Sequence, residues 1–131
     1  MFNLKSKKMT FSGLELSAIV KLAISVALSD GDFAETEKAA LAIEIMKFGI
    51  SGDEATALLQ TASAIDGKDA LIVVSMMSDI QKKYVAAFLA VIIAADGVVK
   101  SAEVRVWSLI SSLCSLPQMT IAEGVDFWKN N

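Results

Sequence analysis

The stretch ISVALSDGDFAETEKAAL, residues 24–41, is answered 66 residues later by AVIIAADGVVKSAEVRVW, residues 90–107. Asp30 and Gly31 fall on Asp96 and Gly97, and Glu37 falls on Glu103. The segments leading into the two loops are the most apolar in the chain, and the same offset carries the third helical segment onto the seventh. A repeat of this length, in which neither copy can bury its apolar face alone, predicts two three-helix units joined through a fourth helix. Their first helices are expected to pack against each other.

Nearly every periodic segment reads as helix, with helices predicted over 12–29, 34–48, 52–64, 69–78, 80–95, 100–115 and 119–128. Ser12 before Glu15, Ser51 before Glu54 and Thr120 before Glu123 have the spacing of capping boxes, which satisfy the orphan N–H groups of a helix start. Gly49 suits a left-handed C-terminal cap, and Gly31, Gly67 and Gly97 each follow an Asp at a place where a helix should stop. The single proline, Pro117, lies just past another helical segment. LIVV at 71–74 is the one strand-like run, and its helical flanks keep it in a helix. The fold class expected is therefore all-α, a single-domain bundle of about seven helices over residues 12–128 behind a tail of residues 1–11, with repeat units of about 12–65 and 80–128.

Composition narrows the function classes. The chain has 131 residues, enough for one domain with a real core. Its 54% hydrophobic content raises the question of membrane insertion, but the longest apolar run, YVAAFLAVIIAA at 84–95, would span only about 18 Å as a helix and reads as core. The N-terminal segment carries Lys5, Lys7 and Lys8 ahead of a helix containing Glu15 and Lys21, with no small-residue cleavage site, so a cytoplasmic location is expected. One cysteine, Cys114, excludes an internal disulfide, and the absence of histidine removes the commonest acid–base group and transition-metal ligand. With a net charge of −3 and one arginine, no basic stripe for nucleic acid is present.

An apolar helix ending in Asp-Gly, with Glu seven residues after the Asp at the start of the next helix, present twice, resembles the TerB-like domains, named for a tellurite-resistance protein. The resemblance covers roughly residues 12–128. It implies a bacterial, cytoplasmic, seven-helix domain linked to stress and tellurite resistance, whose paired acidic positions take a divalent metal. The matching positions are Asp30, Glu37, Asp96 and Glu103. The first loop also keeps the acid after the Gly, Asp32, where the second has Val98, and Ala34 and Lys100 stand in the slots where the family has a Ser-like cap.

The acids themselves admit two readings. As scaffold, the Gly supplies the turn, the Asp accepts from a nearby N–H, and the Glu complements the positive end of the next helix. As a site, the first loop gathers Asp30, Asp32, Glu35 and Glu37 within eight residues with Lys38 as the nearby cation, and such a cluster self-repels unless a cation answers it. Hard ions such as Ca²⁺ or Mg²⁺ take oxygen donors, so the candidate metal ligands are these four with Asp96 and Glu103, provided both loops lie at one end of the bundle. The spacing is not that of an EF-hand, and a zinc centre lacks its ligands. No organic cofactor is indicated.

Catalysis is the least favoured class, because no histidine, phosphate-binding glycine loop or nucleophile–base pair is present. The expected activity is non-catalytic binding of a protein partner, with a weak divalent-cation site at the Asp-Gly loops. The competing expectation is a purely structural interaction or homo-oligomerisation module whose acids only cap helices. Phe127 and Trp128 are candidate anchors for a partner or, alternatively, the closure of the bundle, and Met76 and Met77 read as core filler.

Overall fold

The structure, a computed structural model, describes residues 10–31, 35–95 and 97–131, and of Asp30 the backbone alone. Among the described residues the secondary structure is entirely helical. The order is α1 (Gly13–Ala27), a 3-10 turn (Leu28–Asp30), α2 (Glu35–Met46), α3 (Gly52–Ala64), α4 (Gly67–Ser75), α5 (Asp79–Ala94), α6 (Ser101–Cys114) and α7 (Ile121–Asn130).

Helix starts follow the capping chemistry written in the chain. The three expected capping boxes are all formed, at the starts of α1, α3 and α7, each with side chain and backbone bonded reciprocally. A fourth, Ser78 with Gln81, opens α5 and was equally legible in its spacing. One expectation is reversed at Asp66-Gly67. The Asp66 carboxylate accepts the Lys68 N–H at 2.8 Å and starts α4 instead of ending α3. Gly67 is accordingly the first helical residue, two positions ahead of the predicted start, and lacks the left-handed backbone found at Gly31, Gly49 and Gly97. The offset of 66 also relates two left-handed C-terminal caps, Gly49 (φ 93°) and Ser115 (φ 57°). Ser115 takes this conformation at the cost a side chain pays there, and the chain turns at the same place in both units.

The core lies around α1 and α5, whose buried runs are the apolar segments that lead into the two loops. They contact each other, and each unit's second helix packs on the first helix of the other unit, α6 on α1 and α2 on α5. Both units are thereby interlocked, while α4, the connector, lies on α1 and α6. At one end the N-termini of α1 and α5 meet, since the Gln81 amide reaches the Thr10 carbonyl at 3.0 Å and the Glu15 carboxylate at 3.5 Å. Glu15 and Gln81 are themselves equivalent positions of the repeat.

Aromatic rings close the bundle beside α5. Trp128 is 1% exposed, packs on Phe48 and Phe88 with ring centroids 5.4 Å from each, and donates its indole N–H to Glu44 at 2.7 Å. Of the two readings of Phe127 and Trp128, bundle closure therefore holds for Trp128, and Phe127 stacks edge-on against Tyr84 at 5.1 Å. Phe11, at the end of the stretch read as a tail, packs edge-on against Phe48 at 5.3 Å and belongs to the domain. Met77 is buried, as expected of core filler, but Met76 is 81% exposed. The reason is that α4 stops at Ser75, so Met76 falls on the C-cap, outside the apolar stripe.

Candidate functional site

Residue by residue, the acids of the two loops behave differently. Glu35 opens α2 with a side chain 90% exposed and paired to Lys38 at 3.3 Å, which makes it a solvated helix-start acid. Glu37, two residues on, faces inward and is only 4% exposed. Its counterpart Glu103, third residue of α6, is 2% exposed. Two carboxylates at equivalent repeat positions are thus taken out of water, which costs several kcal/mol each (on the order of) unless they are answered by charge or hydrogen bonds. Asp32 and Asp96 lie outside the described residues, as do Ala34 and the side chain of Asp30.

The two loops lie at the same end of the bundle. The Lys100 ammonium, from the second loop, stands 3.8 Å from the Glu37 carboxylate of the first unit. In addition, α6 packs on the 3-10 turn that contains Asp30. The first helices of the two units therefore begin together at the Glu15–Gln81 end and finish together at the acidic end, running side by side in one direction. Gly31 (φ 87°) and Gly97 (φ 81°) turn the chain in both copies with the left-handed backbone that an L side chain avoids.

What this end can hold follows from its donors. Among the described residues no three Asp, Glu or Cys side chains gather closely enough to hold a metal ion. The inward-facing donors described here are the carboxylates of Glu37 and Glu103, hard oxygens of the kind that suits Ca²⁺ or Mg²⁺ and not zinc. Apolar side chains rim the same end, with Leu28 in the first turn and Val98 and Val99 in the second loop all exposed. Sequence reasoning named Glu37 and Glu103 but missed Lys100 as a functional neighbour. It reaches Glu37 across 63 positions of sequence, which no local spacing encodes.

Two other features bear on chemistry. An open groove of about 750 Å³ runs between the end of α6 and the start of α7, lined by Ser108, Ser111, Ser112, Ser115, Gln118 and Glu123 among others. Its one carboxylate, Glu123, is engaged by the Thr120 N–H at 2.8 Å in the capping box. Cys114 is buried and contacts the Leu71 carbonyl at 3.4 Å through its thiol. Burial pushes the thiol pKa up, against a smaller opposite pull from Lys82, so the neutral thiol is the stable form. Native protein should accordingly resist iodoacetamide at neutral pH and react once unfolded in denaturant. Rapid alkylation of the native protein, read by mass spectrometry, would show that Cys114 is not held in this way.

No helix of the described residues is long and apolar enough to cross a membrane. No family model matches the chain. No curated protein matches it either. Among solved structures, the chain is similar to the crystal structure of the Porphyromonas gingivalis W83 protein PG1108, a protein of unknown function. The two share 43% sequence identity over 93% of this chain and 92% of that one, with a TM-score of 0.85.

Proposed function

This chain belongs to the same family as the Porphyromonas gingivalis protein PG1108, and within it we propose a non-catalytic, TerB-like role in the cytoplasm, in stress or tellurite resistance. The domain binds a protein partner, and the acidic end takes a divalent cation, Ca²⁺ or Mg²⁺, with low affinity. One observation carries this reading: two buried carboxylates at equivalent repeat positions, Glu37 and Glu103, share an end of the bundle with both Asp-Gly loops. Asp30, Asp32 and Asp96 are the further oxygen donors that the loops supply in this reading, while Glu35 stays outside the site. The exposed Leu28, Val98 and Val99 provide apolar surface for a partner beside the ion. A bound cation would neutralise the acids of the loops, which is how it would tune partner binding.

A second reading is favoured by the Lys100–Glu37 pair. There the acids are scaffold, Glu37 is answered by an ammonium of the same chain, and the domain serves as a structural interaction or oligomerisation module.

Calorimetric titration of Ca²⁺, Mg²⁺ and Mn²⁺ into metal-free protein separates the two. Saturable heat with a Kd on the order of 10⁻⁴–10⁻³ M is expected. It should be lost in Asp30→Asn with Glu37→Gln, and weakened in Asp96→Asn. Absence of heat for all three ions at millimolar concentrations would leave the scaffold reading.

A further inference from the structure

We propose that the outer flank of α6 is a self-association surface, on which a second copy of the chain lays its own α6 antiparallel. The inference rests on the second reading above, in which the domain serves as an oligomerisation module, and gives that reading a surface and a geometry.

Ala102, Val106, Leu109 and Leu113 recur at the alternating four- and three-residue spacing that lines one face of a helix. Each stands one residue before a member of the buried stripe of α6, Glu103, Trp107, Ile110 and Cys114, so the line runs about 100° round the helix from the core. Leu109 is 58% and Leu113 56% exposed, while Ala102 and Val106 are half-buried. The fold does not require this line to be apolar. The equivalent positions of α2 are Thr36, Ala40, Ile43 and Lys47. Ile43 is as open as Leu109, at 57% exposed, and Lys47 pairs with Glu44 at 3.0 Å. The first unit thus breaks the line at both ends, and the second keeps it apolar throughout.

The order of sizes along the line fits a second copy of itself. From the start of α6 to its end the side chains grow from alanine through valine to leucine. Antiparallel pairing sets Leu113 of one copy over Ala102 of the other, and Leu109 over Val106, so every layer joins a larger side chain to a smaller one and all layers fill evenly. Parallel pairing would stack alanine on alanine and leucine on leucine. The antiparallel contact is isologous, each layer occurring twice, and it closes as a dimer. No residue of the line is charged, and the exposed Arg105 beside it falls opposite the exposed Ser112 of the other copy, which keeps the two guanidinium groups apart and gives each a hydroxyl to bond. The contact runs along about 16 Å of helix, less than a standard interface, so the dimer is weak, with a Kd on the order of 10⁻⁵–10⁻⁴ M.

Sedimentation equilibrium of the full chain across that range of concentration reads the dimer, with thermal melts to confirm that each variant is folded. Leu109→Glu and Leu113→Glu should each weaken association by about tenfold or more, and both should melt within a few degrees of wild type because the side chains they replace are exposed. Ile43→Glu, at the equivalent and equally open place on α2, should leave association unchanged. Ser112→Glu sets a carboxylate opposite Arg105 at two symmetric places and should tighten the dimer about fivefold, whereas Ser112→Lys should weaken it. A dimer that neither leucine variant weakens, or that Ile43→Glu weakens as much, overturns this surface while the oligomerisation reading stands. A dimer that the leucine variants abolish but Ser112→Glu also weakens overturns the antiparallel pairing. A wild-type chain that stays monomeric throughout overturns the inference and the oligomerisation reading together.

Discussion

Replacing Trp128 with alanine is expected to cost about 3–5 kcal/mol, the range for deleting a buried aromatic side chain. The indole is enclosed by Phe48, Phe88 and Tyr84, and its N–H is donated to Glu44. Its loss opens a cavity where α7 meets α5 and removes the indole donor from a carboxylate that Lys47 also holds, at 3.0 Å. For a chain of this length the melting temperature should fall by roughly 10–15 °C. Trp128→Phe keeps the packing but not the donor and should recover more than half of the loss. If Trp128→Ala melts within a few degrees of wild type, the C-terminal helix is not closing the core in this way.

Gly124→Ala should be the second costly change, in the opposite sense to helix propensity. In an open helix the substitution gains about 1 kcal/mol. Here the added Cβ would stand 2.6 Å from the Ala90 Cβ, a contact that a shift of α7 away from α5 must relieve, and 3.3 Å from the Met119 sulfur. Overpacking of this kind costs about 1–3 kcal/mol. The double variant Ala90→Gly with Gly124→Ala removes the facing methyl and should restore part of the stability, the signature of direct coupling. A chemical-denaturation midpoint equal to or above wild type for Gly124→Ala alone would rule out the close approach.

These two residues illustrate what was legible in the sequence and what was not. Helix starts were readable because a capping box is local: Ser and Glu three apart bond each other whatever the rest of the chain does. The repeat was readable because duplicated turns keep their glycines, and Gly31 and Gly97 have nearly the same backbone. Asp66-Gly67 misled because the same dipeptide can end a helix through the glycine or begin one through the aspartate, and only the observed bond to Lys68 distinguishes them. Gly124 gave no signal of its role, since the methyl it avoids belongs to Ala90, on another helix. At the acidic end, Glu37 and Glu103 could be named from spacing, but not their burial. Glu35, of the same residue type and two positions from Glu37, points the other way because successive helical residues project about 100° apart.

The packing of each unit's second helix on both first helices, its own and the other unit's, is the kind of arrangement that two separate three-helix chains could form as a symmetric dimer. Such a dimer would be bound by its own symmetry: whatever stood at one copy of the loop would stand at the other, two lysines or two alanines. Joining the halves through α4 lifts that constraint. One polypeptide can hold Ala34 in the first loop and Lys100 in the second, and so give a paired structure two unequal sides.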